Sequence, residues 1–137
     1  MTVIAYRDGV LAADSLMVMH DRKVYTQKLF KHGDDCIAVC GDYARALEML
    51  EWYRAGAEPE RYPAKRDPND FGRIIVANKT GLFVYENGPV PMKHSYGFTA
   101  YGTGADFAIG AMEMGADAVE ACRVAITWCA SCGGEVD

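Results

Sequence analysis

Three times in this chain, two short apolar runs are separated by a few residues suited to a tight reversal, and that recurrence restricts the fold more than any other feature. "VIAYRDGVLAA" turns at Asp8-Gly9, a dipeptide that accepts the positive φ angles of a two-residue hairpin loop. "KLFKHGDDCIAVC" repeats the pattern, with Gly33-Asp34-Asp35 between residues 28–32 and 36–40. "RIIVANKTGLFVYE" supplies a third hairpin, turning at Asn78 to Gly81, and "GFTAYG" adds a short strand. Hairpins join neighbouring strands in opposite directions, so antiparallel sheets are expected.

The intervening segments change period. "DYARALEMLEWYRAG" predicts a helix capped by Asp42, with Tyr43, Leu47, Leu50 and Arg54 on one face and a stop at Gly56. "ADFAIGAMEMG" and "ADAVEACRVAITWC" predict two more helices separated by Gly115, the second with Val119, Cys122, Ile126 and Cys129 at helical spacing. Residues 57–72, "AEPERYPAKRDPNDFG", hold three of the five prolines and many charges, which reads as an exposed connection. There is no internal repeat and no low-complexity tract. Hairpins alternating with helices give an α+β class, antiparallel sheets with helices packed outside them, in one domain over residues 1–137.

Composition narrows the function classes. With 14 Lys and Arg against 19 Asp and Glu, the net charge of -5 argues against a nucleic-acid partner, which calls for a basic face. No run approaches the length of a membrane span and no signal-peptide pattern opens the chain, so a cytoplasmic protein is expected. Five cysteines, Cys36, Cys40, Cys122, Cys129 and Cys132, then read as reduced thiols rather than a disulfide framework. Cys129 and Cys132 form a CxxC, but a single CxxC is a weak zinc signal. Cys36 and Cys40 read as small core residues sharing one strand face.

Thr2 next to Met1 is by position an ordinary start to a strand. The run from Thr2 through "VIAYRDGVLAADS", then "QKLFKHGDDCIAVCGDYARAL", then "AYGTGADFAIGAM", resembles the proteasome β-type and HslV-like N-terminal nucleophile hydrolases, in particular their short bacterial and phage-borne members. The resemblance covers most of the chain except the proline-rich connection. It implies an αββα sandwich of two antiparallel sheets, with one helix on one side and two on the other. It also implies a peptidase whose nucleophile is the Thr2 hydroxyl and whose base is the Thr2 amine, freed by removal of Met1. A free α-amine titrates near 7.7 to 8.0, so an appreciable fraction is unprotonated at neutral pH.

Carried over residue by residue, the resemblance makes Asp14 in "AADS" the acidic supporter and Lys28 in "QKLF" the ammonium beside the threonine hydroxyl. Gly41 in "VCGDYA" becomes the oxyanion-hole N–H, and Thr103 in "YGTGAD" the hydroxyl that holds the amine. Each has an ordinary alternative. Asp14 suits a strand-ending turn, Gly41 a strand-to-helix turn, and Thr103 with Asp106 a helix capping box; Lys23 and Lys31 compete with Lys28. The family often places an aspartate and, three residues on, a serine or threonine before paired glycines. Here "CASCGG" offers Cys129 and Cys132, with Ser131 or Asp137 as substitutes under a shifted alignment.

No cofactor or metal is expected. The partners implied by the resemblance are further copies in a homo-oligomeric ring, a peptide or unfolded-protein substrate, and an ATPase unfoldase. Two other readings stay open: an inactive oligomeric scaffold or assembly protein, such as a component of a phage particle, and an amidase acting on a small molecule.

Overall fold

The structure, a computed structural model, describes residues 2–137. Met1, on which the expected trimming falls, lies outside the described residues. The chain forms two compact units, one made of the residues up to Leu29 together with Tyr96–Asp137, the other of Phe30–Ser95.

In the first unit, β1 (Ile4–Arg7) and β2 (Val10–Ala13) form the expected hairpin, with Asp8 at φ 51° and Gly9 at φ 82°. Two positive φ angles in succession match the right-handed twist of the flanking strands, which is why Asp-Gly sits there. The antiparallel register pairs Ile4 with Ala13, and β10 (Phe98–Tyr101) joins the other side of β1 with Ile4 opposite Tyr101. The resulting sheet has the order β10-β1-β2. A hairpin that the sequence patterns did not reveal follows, β3 (Leu16–Met19) with β4 (Arg22–Tyr25), as a separate two-stranded ribbon. Its turn is His20-Asp21, both left-handed at φ 49° and 63°. His and Asp are among the side chains that tolerate this region, but they are weak turn markers beside Asn-Gly or Asp-Gly.

Helices α2 (Ala105–Glu113) and α3 (Ala118–Trp128) pack against this sheet. The inward stripe of α3 is Ala118, Ala121, Cys122 and Ala125; the predicted Val119, Ile126 and Cys129 flank it, partly buried. Small residues face the sheet because the facing strand residues, Ala5 and Ala12, are also small, and the helix can approach closely. Asp117 caps α3 by accepting from the Glu120 N–H at 2.8 Å, while the Glu120 carboxylate accepts from the Asp117 N–H at 3.2 Å.

The second unit holds a five-stranded sheet of order β5-β6-β7-β8-β9, comprising β5 (Leu29–His32), β6 (Asp35–Gly41), β7 (Gly72–Asn78), β8 (Gly81–Tyr85) and β9 (Met92–His94). The second and third expected hairpins are β5–β6 and β7–β8, whereas β9 was not legible in the sequence. Helix α1 (Tyr43–Arg54) begins at Asp42, whose carboxylate accepts from the Arg45 N–H at 2.9 Å, as predicted. Its buried residues are Arg45, Ala46, Met49, Leu50 and Trp52; of the expected face Leu50 is buried, while Tyr43 and Leu47 are only partly buried against the cluster. Trp52 meets Tyr62 and Tyr85 edge to face at 5.0 and 5.4 Å, and this aromatic group sets the rotation of the helix. Met49 is fully buried in this cluster. Met49→Ala is expected to cost about 2–5 kcal/mol in chemical denaturation, the range for emptying a buried methionine site.

The fold is thus mixed α and β, with three α-helices among the described residues and antiparallel sheets. Its strands fall into three hydrogen-bonded groups. No described helix is long and apolar enough to cross a membrane.

Candidate active site

The register of the first sheet brings the candidate residues together. With a two-residue loop at Asp8-Gly9, β1 and β2 pair so that Val3 comes opposite Asp14 just beyond the ladder. The Val3 N–H donates to Asp14 Oδ1 at 3.1 Å, and the Asp14 N–H donates to the Val3 carbonyl at 3.1 Å. On the other side of β1, the pairing of Ile4 with Tyr101 carries Thr103 to Thr2. Thr2 N donates to Thr103 Oγ1 at 3.1 Å, and the Gly104 N–H donates to the Thr2 carbonyl at 3.0 Å.

Lys28 lies just before β5 and points inward. Its ammonium donates to Thr2 Oγ1 at 3.0 Å, to Asp14 Oδ1 at 2.8 Å and to the Leu16 carbonyl at 2.7 Å. Asp14 is fully buried, Lys28 is 3% exposed and Thr2 7% exposed. A buried ion pair survives only when its remaining hydrogen-bonding capacity is met. Here Asp14 Oδ2 accepts the Gly133 N–H at 3.0 Å, so the C-terminal segment closes over the pair. Neither Lys23, in β4 and exposed, nor Lys31, in β5 and exposed, has such an environment.

Thr103 serves the threonine, not the helix. The N-cap of α2 is Gly104 and has no side-chain cap, so the expected alternative of a Thr103–Asp106 capping box is not formed. Ser131 Oγ donates to Thr103 Oγ1 at 3.3 Å, and Cys129 Sγ lies 3.5 Å from Ser131 Oγ. Ser131, expected only as a substitute, therefore stands behind Thr103. The signal was the "SCGG" run itself, because Gly133 and Gly134 let the chain fold against Leu16 and Ser15. Asp137 makes a backbone pair with Ala13 instead, at 2.9 and 3.3 Å.

The two cysteines of the CxxC differ. Hydrogen bonding from Ser131 holds the Cys129 thiol below its usual value, whereas burial pushes Cys132 up to about 12. Among the described residues no group of three His, Cys, Asp or Glu side chains could hold a metal ion.

Glycine is required at Gly102, which has φ 95°; a Cβ there would run into the Thr2 carbonyl. Gly102→Ala is expected to destabilise the protein by about 1–2 kcal/mol or more, since both the left-handed backbone and the contact oppose it. Denaturation measures that cost. Gly41 belongs to the second unit, at the end of β6 before α1, with φ 85°. A Cβ at Gly41 would meet the Phe71 carbonyl, so the sharp turn explains the glycine there.

No protein-family model matches this chain, and no curated protein matches it. Solved structures do. Eukaryotic HslV from Trypanosoma brucei aligns over 99% of this chain and 95% of its own, with a TM-score of 0.72 and 19% identity. Thiobacillus denitrificans BPH aligns over 99% of this chain and 94% of its own, at 22% identity, with a TM-score of 0.70, and 0.68 for its complex with epoxomicin. At such identities the likeness establishes the fold alone, which this chain shares with HslV and BPH. More narrowly, it is HslV-like.

Proposed function

We propose that this chain is an N-terminal threonine peptidase of proteasome and HslV type, acting through Thr2 once the Met1–Thr2 peptide bond is cut. The observation that carries the reading is the hydrogen bond from the buried Lys28 ammonium, paired with Asp14, to Thr2 Oγ1. A fixed positive charge at 3.0 Å from a hydroxyl stabilises the alkoxide that forms as the proton leaves. The free Thr2 amine takes that proton while Oγ1 attacks the substrate carbonyl. The tetrahedral intermediate collapses, the proton passes to the departing amine of the substrate, and an ester on Thr2 remains. Water, deprotonated by the same amine, then hydrolyses the ester and restores the hydroxyl.

In this reading Thr103, with Ser131 behind it, holds the amine, and the Gly41 N–H forms the oxyanion hole. The fold class that goes with this reading is the αββα sandwich of two antiparallel sheets. Copies of the chain form a cytoplasmic ring, supplied with unfolded protein by an ATPase. The intact mass of protein from its own host, with the site of labelling by a threonine-directed electrophile, tests the reading. Loss of Met1 and a label on Thr2 are expected; quantitative retention of Met1 would sink it.

One observation favours a second reading. The family's aspartate position is occupied by Cys129 and the paired hydroxyl position by Cys132, and burial keeps the Cys132 thiol protonated. An inactive ring or phage-particle scaffold accounts for that, and it requires that Thr2 stay unlabelled. An amidase would label at Thr2 but turn over small amides in preference to peptides.

A further inference from the structure

Cys129 and Cys132 are not needed by the hydrolysis just described, yet they stand directly behind its hydroxyls. The Cys132 N–H donates to the Cys129 carbonyl at 3.2 Å, which closes a turn over residues 129–132. Such a turn holds its end Cα atoms within about 7 Å, close to the span that a disulfide bridges. Cys129 Sγ lies 3.5 Å from Ser131 Oγ, and Ser131 Oγ donates to Thr103 Oγ1 at 3.3 Å. Cys132 is packed at the backbone of Gly104, where an added Cβ would come within 2.8 Å of its sulfur. Cys129, by contrast, is half-buried and open to a small reagent.

We propose that Cys129 and Cys132 form a reversible dithiol site that reacts with low-molecular-weight disulfides, and that its oxidation disconnects Ser131 and Thr103 from their support behind Thr2. The Cys129 thiolate attacks one sulfur of the reagent RSSR, forming a mixed disulfide and releasing RS⁻, which takes up the proton Cys129 lost. Cys132 then gives up its proton and attacks the Cys129 sulfur, which expels the second RS⁻; that thiolate leaves as RSH. The balance is protein dithiol plus RSSR to protein disulfide plus two RSH. Cys129 is the entry point because its thiol is held low by Ser131, whereas burial pushes both Cys122 and Cys132 up to about 12.

The coupling to Thr2 runs through the hydroxyls. A Cys129 thiol that donates to Ser131 Oγ leaves the Ser131 O–H for Thr103; a disulfide sulfur cannot donate and accepts only weakly. Ser131 then loses the partner that fixes it against Thr103, and Thr103 is the acceptor for Thr2 N. This second half rests on the peptidase reading.

The test treats the full chain with glutathione disulfide. Wild type is expected to lose the mass of two hydrogens, with peptide mapping locating a Cys129–Cys132 link, while Cys132→Ser is expected to retain one glutathione on Cys129. Wild type that stays unchanged, keeps its glutathione or links another cysteine would overturn the dithiol assignment, and that result needs no variant to fold. The oxidised form should then label at Thr2 about tenfold more slowly than the reduced form, the effect of losing one supporting hydrogen bond. Equal rates would overturn the coupling. No label at Thr2 in either form would overturn the peptidase reading and the coupling together, while the mass measurement still decides the dithiol.

Discussion

Thr2→Ala is expected to reduce peptide hydrolysis by at least about 10³-fold, as removal of an activated nucleophile does, with little change in the fold. The backbone contacts of Thr2, from the Gly104 N–H to its carbonyl and from its N to Thr103, do not involve its side chain. Lys28 keeps Asp14 Oδ1 and the Leu16 carbonyl as acceptors when the hydroxyl is gone. Stability should therefore fall by no more than about 1 kcal/mol, a single hydrogen bond's worth. Thr2→Ser, which restores the hydroxyl but not the methyl, should recover a measurable part of the activity. Peptide turnover in Thr2→Ala equal to wild type, after removal of contaminating proteases, would place the chemistry elsewhere.

The second large effect is at Lys28. Lys28→Met leaves the Asp14 carboxylate fully buried, still accepting the Val3 and Gly133 N–H groups but without its counter-charge. Breaking a buried pair from one side costs about 3–5 kcal/mol. In a chain of 137 residues this lowers Tm by about 10–20 °C. Adding Asp14→Asn removes the stranded charge and keeps an oxygen for the Val3 N–H, but its amide nitrogen then faces the Gly133 N–H, so only part of the stability should return. Activity should not return, because no ammonium then faces Thr2 Oγ1. Denaturation and hydrolysis measured on both variants separate the two roles. A double variant as active as wild type would show that the pair is only structural.

Much of this site was legible because its nearest parts are local. The Asp-Gly loop fixes the register of the first hairpin, and that register alone puts residue 3 opposite residue 14. The caps at Asp42 and the stop at Gly115 were legible for the same reason, since each acts within one or two turns of chain. The β3–β4 hairpin was not, because His20-Asp21 carries no strong turn signature. The helix faces were placed a fraction of a turn off in α1 and α3. Periodicity favoured the larger apolar side chains, while alanines on α3 and an aromatic cluster on α1 decide what packs inward.

The sequence by itself determined the hairpins, the helices and the pairing that sets Asp14 opposite the residue after Thr2, because hydrogen-bond register and capping depend on neighbours in the chain. The tertiary structure decided that Lys28, rather than Lys23 or Lys31, is the buried cation. It also decided that Thr103 turns to Thr2 instead of capping a helix, and that Ser131 and Cys129 stand behind it. Those contacts join residues separated by as many as 101 positions. They depend on which surfaces the sheet and helices bury together, and a lysine or a cysteine carries no mark of its burial until the surrounding chain has excluded the water around it.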